Sequence, residues 1–192
     1  MKRRSFMLLG AKVAVGCILT QAAPAVAALT AAVSSPVFGE DDAKTDARTL
    51  SFYHTHTGEY LDITYLEAGV YDPVALEIIN SYLRDFRTSE IHPIDPALLD
   101  ILWEVQQRLG CASTYEIISG YRSPETNTEL RRKSKGVAKR SLHTKGMALD
   151  VRLTGQDSYT VRDCAASLQC GGVGYYAASD FVHIDTGRVR TW

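Results

Sequence analysis

From residue 147 to residue 153 the chain alternates strictly. Ala148, Asp150 and Arg152 share one face of a strand, and Leu149, Val151 and Leu153 share the other. Residues 49–53 and 60–65 predict two more strands around a turn at Thr57-Gly58-Glu59, a hairpin. Residues 115–119 and 181–185 are short β-rich runs, and residues 171–176 form a glycine-rich strand or loop. Between them the period changes. Asp72-Pro73 opens a helix, with Asp as cap and Pro in the first turn, and Ala75, Leu76, Ile79, Leu83 and Phe86 recur at helical spacing. Asp95-Pro96 repeats that start ahead of Leu98, Leu102, Val105 and Leu109, and Gly110 stops the helix. Ser123-Pro124 begins a third helix, to about Lys133, and residues 158–168 read as a fourth. The order predicts an α+β fold: a small, mainly antiparallel sheet with helices packed against it.

The first residues do not belong to that pattern. Lys2, Arg3 and Arg4 precede a short apolar run, and Ala25-Val26-Ala27 offers small residues for cleavage. Residues 1–27 therefore read as an export signal of the twin-arginine type, which places the mature chain in the periplasm. The run contains Lys12 and is short for a membrane span. Residues 28–48, rich in Ala, Ser and small polar residues, read as a flexible linker, which leaves residues 49–192 as one domain, expected to be monomeric and without a membrane span. Cleavage would remove four of the 21 basic residues and none of the 22 acids, for a formal charge of −5. That balance argues against a nucleic-acid partner. Basic residues do cluster locally, at Arg131, Arg132, Lys133, Lys135, Lys139, Arg140 and Lys145, which is either a solvated helix end or a positive rim for an anionic polymer. Cys111, Cys164 and Cys170 lack metal-ligand spacing and read as small buried residues or one disulfide.

The chemistry concentrates in two stretches. Residues 141–151 carry His143 and Asp150, with Gly146 between them permitting a tight bend. Residues 180–185 carry Asp180, His183 and Asp185. Two imidazoles and a carboxylate from His143, Asp150 and His183 form a ligand set for catalytic zinc, with the fourth position left to water. Asp180, three residues before His183, is the candidate general base, although strict alternation sends it to the opposite face unless the chain bends first. Asp185 shares parity with His183 and could orient its ring. Ser141 could hold the loop around His143, Arg122 could stabilise an oxyanion, and Tyr121 could line a cleft or join the core. His54 and His56 are a rival metal pair near the hairpin turn. The glycines at 171, 172 and 174 do not precede a helix as a phosphate loop requires.

Ser141-Leu142-His143-Thr144-Lys145-Gly146-Met147-Ala148-Leu149-Asp150 resembles the Ser-x-His-x-x-Gly-x-Ala-x-Asp motif of the zinc peptidases that include D-Ala-D-Ala carboxypeptidases and the Hedgehog signalling fold. Asp180 and His183 match that group's acid-x-x-His. Ser119 to Pro124, Gly136 to Ser141, Gly172 to Tyr176 and Val182 to Gly187 resemble the YcbK-like murein endopeptidases. The resemblance implies a Hedgehog/D-Ala-D-Ala peptidase-like fold. It implies zinc on His143, Asp150 and His183, Asp180 as base and Arg122 at the carbonyl. The implied substrate is the peptidoglycan stem peptide, cut at the diaminopimelate–diaminopimelate cross-link. A D,D-carboxypeptidase or dipeptidase would need a capped pocket instead of a groove, and a non-catalytic wall-binding module would need neither Asp180 nor Arg122.

Overall fold

The computed structural model describes residues 46–134 and 136–192. The export signal and nearly all of the linker lie outside the described residues.

The hairpin forms as expected from β1 (Arg48–His54) and β2 (Tyr60–Glu67), and a two-residue β3 (Val70–Tyr71) extends it. Then come α1 (Pro73–Tyr82), α2 (Pro96–Leu109), β4 (Tyr115–Ser119), α3 (Pro124–Lys133), β5 (Ala148–Leu153), α4 (Ser158–Ser167), β6 (Gly172–Tyr176), β7 (Phe181–Asp185) and β8 (Arg190–Thr191). The caps act as the sequence predicts. The side chains of Asp72, Asp95 and Ser123 accept from backbone N–H groups of Val74, Ala97 and Thr126, each before a first-turn proline. Helix α2 ends on Gly110 in the left-handed conformation. Helix α1 stops at Tyr82, although its apolar spacing continues to Phe86. The carbonyl of Leu83 is taken by Tyr121 N, and a Cβ at Gly120 would lie 2.5 Å from that oxygen, so the chain must turn there to meet the end of β4.

All eight strands join one sheet, in the order β3-β2-β1-β4-β5-β7-β6-β8. It is larger than the small sheet expected, and mixed: β1–β4 and β6–β8 pair in parallel, the other five pairs antiparallel. Local alternation is blind to which distant strand becomes the neighbour, so the parallel pairs could not be read in advance. The expected periodicity of β5 is observed. Leu149, Val151 and Leu153 are fully or almost fully buried, in one cluster with Val182, Ile184, Leu98, Leu102, Val161 and Ala165. Asp150 faces the other way.

Candidate metal centre

Strand pairing brings the polar face together. Asp150 is directly opposite His183 in the β5–β7 register, and cross-strand partners present side chains on one face. His143 arrives from a short 3-10 turn, Leu142–Lys145, that ends on Gly146 at φ 65°. A side chain at Gly146 would be strained there, and its Cβ would lie 2.0 Å from the carbonyl oxygen of Pro93, so only glycine lets the turn lead straight into β5.

Three atoms meet at the centre. His143 Nε2 is 3.2 Å from His183 Nδ1 and 3.2 Å from Asp150 Oδ1, and His183 Nδ1 is 2.8 Å from the same Oδ1. Among the described residues, His143, Asp150 and His183 form a buried three-ligand group. The outer nitrogens fix the tautomers. His143 Nδ1 lies 2.8 Å from the carbonyl oxygen of Gly120, which can only accept, so the proton is on Nδ1 and Nε2 carries a lone pair inward. His183 Nε2 lies 3.0 Å from Asp185 Oδ2, a carboxylate oxygen that likewise accepts from the ring N–H, which turns Nδ1 inward. Two lone pairs and an anionic oxygen in van der Waals contact repel unless a cation or a proton sits among them. Four ligands at zinc distances in a tetrahedron lie roughly 3.3 Å apart, close to the spacing seen here. The donor set therefore fits a divalent ion.

The electrostatics agree. Burial alone would raise the Asp150 pKa, yet contacts with His143 and His183 outweigh it and hold this carboxylate well below its usual range. Burial pushes His143 down. Burial also disfavours charge on His183, but hydrogen bonds to Asp150 and Asp185 push its pKa up to about 9 in the metal-free protein. Asp185 is fully buried and depressed despite its burial, because His183 and Arg190 bond to it.

Arg190 was not singled out from the sequence. Its guanidinium grips Asp185 at 3.0 and 2.6 Å, and its Cζ lies 4.8 Å from the centre of the Trp192 ring. The Trp192 ring in turn is 5.3 Å from that of His183, and its Nε1 donates to Tyr176 Oη at 3.2 Å. The signal was present in the glycine run set aside as a failed phosphate loop. A Cβ at Gly172 would collide with Arg190 at 2.2 Å, and one at Gly174 with the Trp192 ring at 2.5 Å. These glycines clear the sheet surface for the two side chains that back the site.

The remaining expected residues divide. Arg122 is buried beside the centre: its Nη2 donates to Ser119 Oγ at 3.1 Å and lies 3.5 Å from Asp150 Oδ2, while its Nε has no protein partner. Burial lowers its pKa. Ser141 lines the cleft, but its backbone carbonyl, not its hydroxyl, ties the turn, by accepting from Thr144 N and Oγ1. Tyr121 is core rather than cleft wall, stacked on His92 with its hydroxyl donating to Glu90 at 2.6 Å. Asp180 stands apart from the cluster. The bend that the base role needs is present, at φ 49°, yet the carboxylate accepts from Ser158 Oγ at 2.7 Å, lies 3.7 Å from Arg152 Nε and is 71 % exposed. His54 and His56 do not form a metal pair: His54 Nδ1 accepts from the His56 and Thr57 N–H groups, and His56 stacks on Phe86. The three cysteines are free.

The centre opens into a cleft of about 330 Å³. Arg122, Arg140 and Arg190 lie on it, with Tyr176, Phe181 and Trp192 as an aromatic side. No helix among the described residues is long and apolar enough to cross a membrane.

Residues 42–192 match the M15 peptidase family model described as peptidoglycan L,D-endopeptidase MepK. The chain is 45% identical over 145 residues to peptidoglycan L,D-endopeptidase MepK of Escherichia coli (strain K12), covering 76% of this chain and 80% of that protein. It is 44% identical over 146 residues to the probable peptidoglycan L,D-endopeptidase MepK of Haemophilus influenzae, covering 76% and 78%. No solved structure matches the chain.

Proposed function

Because the chain belongs to the M15 peptidase family of peptidoglycan L,D-endopeptidase MepK, and is a peptidase, we propose that it is a zinc enzyme that cuts peptide cross-links of peptidoglycan. The observation that carries this reading is the convergence of His143 Nε2, Asp150 Oδ1 and His183 Nδ1, each turned inward by its own strand or hydrogen-bond partner. Two imidazoles and one carboxylate suit zinc better than calcium or magnesium, which prefer oxygen ligands.

A bound zinc ion supplies Lewis acidity toward a carbonyl oxygen and a water acidified to a pKa of about 7. The protein supplies the rest. Gly120 and Asp185 hold the two rings in the ligating tautomer. Arg122, with donors left over beside Asp150, faces the developing charge on the scissile carbonyl oxygen. Tyr176, Phe181 and Trp192 flank the peptide and limit water on that side. Asp180 is assigned a supporting role: held by Ser158 and Arg152, it shapes the turn that starts β7 and aims His183. The bond cut is the L,D link between two diaminopimelic acid residues, as the resemblance to the YcbK-like branch implies. Such a substrate lies outside the cytoplasm, in keeping with the export signal read at residues 1–27; the twin-arginine route is proposed from Arg3 and Arg4 alone.

The test is digestion of purified cross-linked muropeptides, with products identified by mass spectrometry. Zinc-loaded protein should split dimers into monomers at the diaminopimelate link. Chelation should abolish the reaction and zinc should restore it. Asp180→Asn should keep most of the rate, within about fivefold, because an exposed carboxylate bonded elsewhere contributes little. Release of single terminal D-alanines without splitting of dimers would replace the endopeptidase reading with a carboxypeptidase.

A further inference from the structure

Three guanidiniums reach the cleft, and two are already matched with acids: Arg122 with Asp150 and Arg190 with Asp185. Arg140 is different. It is exposed, lines the same cleft, and takes part in no ion pair or side-chain hydrogen bond among the described residues. Asp150, which faces the metal centre, is the one acid among the residues lining that cleft.

Its backbone is held close to the chemistry. Two residues upstream, the carbonyl of Ala138 accepts from Asn127 Nδ2 at 3.2 Å, and Asn127 is buried at the base of α3. On the downstream side, Ser141 is buried and starts the turn that carries His143. Arg140 and His143 are three positions apart in the chain, so their Cα atoms are at most about 11 Å apart. A planar guanidinium carried on that backbone, with its donors unspent, suits a carboxylate that arrives with the substrate.

We propose that Arg140 is a specificity-determining residue that binds a free carboxylate of the substrate next to the scissile amide. This rests on the peptidase reading above and names the chemistry that the cleft selects. A diaminopimelate link presents such a group, because the centre whose amine is acylated in the cross-link also bears a carboxylate. Among the described residues, the other basic side chains of the segment are exposed, and Arg131, Arg132 and Lys133 in the last turn of α3 suit the negative end of that helix. Arg140 thus separates from a run that otherwise reads as a solvated helix end.

The test compares two synthetic cross-linked peptide dimers, one with the carboxylate beside the scissile amide free and one with it amidated. Zinc-loaded wild type, Arg140→Gln and Arg140→Lys are assayed for KM and kcat, with metal content measured in each. Wild type should prefer the free acid by about tenfold in kcat/KM, the scale of one charge-assisted hydrogen bond. In Arg140→Gln that preference should fall toward one through KM, with metal content unchanged, and Arg140→Lys should restore part of it. Equal cleavage of both peptides by wild type, or a loss in Arg140→Gln that is the same for both, overturns the proposal while the peptidase reading stands. No cleavage of either peptide by wild type overturns both.

Discussion

Leu149 and Asp150 are adjacent on β5, and opposite kinds of physics hold them. Leu149 is buried against Ile184 and the helical layer, where any side chain of similar size and polarity would gain much the same free energy. Asp150 is nearly as buried, but its surroundings are two imidazoles and a guanidinium at specified distances. One face of the strand is fixed by volume and the other by the positions of individual atoms. The apolar face makes the fold stable. The polar face crowds lone pairs together and gains stability when a cation or a proton joins them.

The strongest break of this contrast is Asp150→Asn. Cleavage should fall by about a thousandfold or more, because the chemistry of the ion is lost with its anionic ligand. Thermal melts would check the cause: zinc should raise the melting temperature of wild type by preferential binding to the folded state and leave that of Asp150→Asn unmoved. Its neighbour should behave in reverse. Leu149→Ala should cost about 2–5 kcal/mol of stability, visible in urea unfolding, while the zinc-induced rise in melting temperature is retained. Equal zinc responses in the two variants would erase the distinction between the faces.

Arg190→Met sharpens the contrast by acting one step away from the ligands. Asp185 would lose its guanidinium partner and keep only the N–H groups of Gly172 and Gly187 to hold its carboxylate against His183 Nε2, and zinc affinity should fall by about 10- to 100-fold in a competition titration, with far-UV circular dichroism unchanged. The smallest effect is a proton count. His183 has a pKa of about 9 in the metal-free protein and must be neutral to bind zinc. At pH 7 it lies below that pKa and is charged, so zinc binding should release close to one proton from it, and the release should vanish as pH rises well above 9. Calorimetry in buffers of different ionisation enthalpy measures this directly. The same sign governs stability without metal: the charged His183 stabilises the fold fully below the ordinary histidine pKa, and that contribution is lost as pH climbs through about 9.

Much of this was legible in the chain. The caps at Asp72, Asp95 and Ser123 are local chemistry, satisfied within three residues, so spacing alone revealed them. The alternation of β5 told which residues would be apolar-facing and put Asp150 on the other side. The pairing of Asp150 with His183 needed only that two strands be neighbours, which their resemblance to a known motif made a definite expectation.

What remained hidden depends on contacts between distant residues. No local rule says that Gly172 and Gly174 are bare so that Arg190 and Trp192 can lie across them, or that β1 joins β4 in parallel and makes an eight-stranded sheet. Nor does the acid-x-x-His spacing say that Ser158, from the start of another helix, will take hold of Asp180. The amino-acid sequence determined the element types, the two faces of the central strand and the kinds of atom available for a metal. Only the tertiary structure decided that Asp185 bonds to His183, that Asp180 bonds to Ser158 and that, among the described residues lining the cleft, Arg140 is the arginine without an ion pair. Periodicity encodes the direction a side chain leaves its own strand, whereas its partner is chosen by how the whole sheet closes.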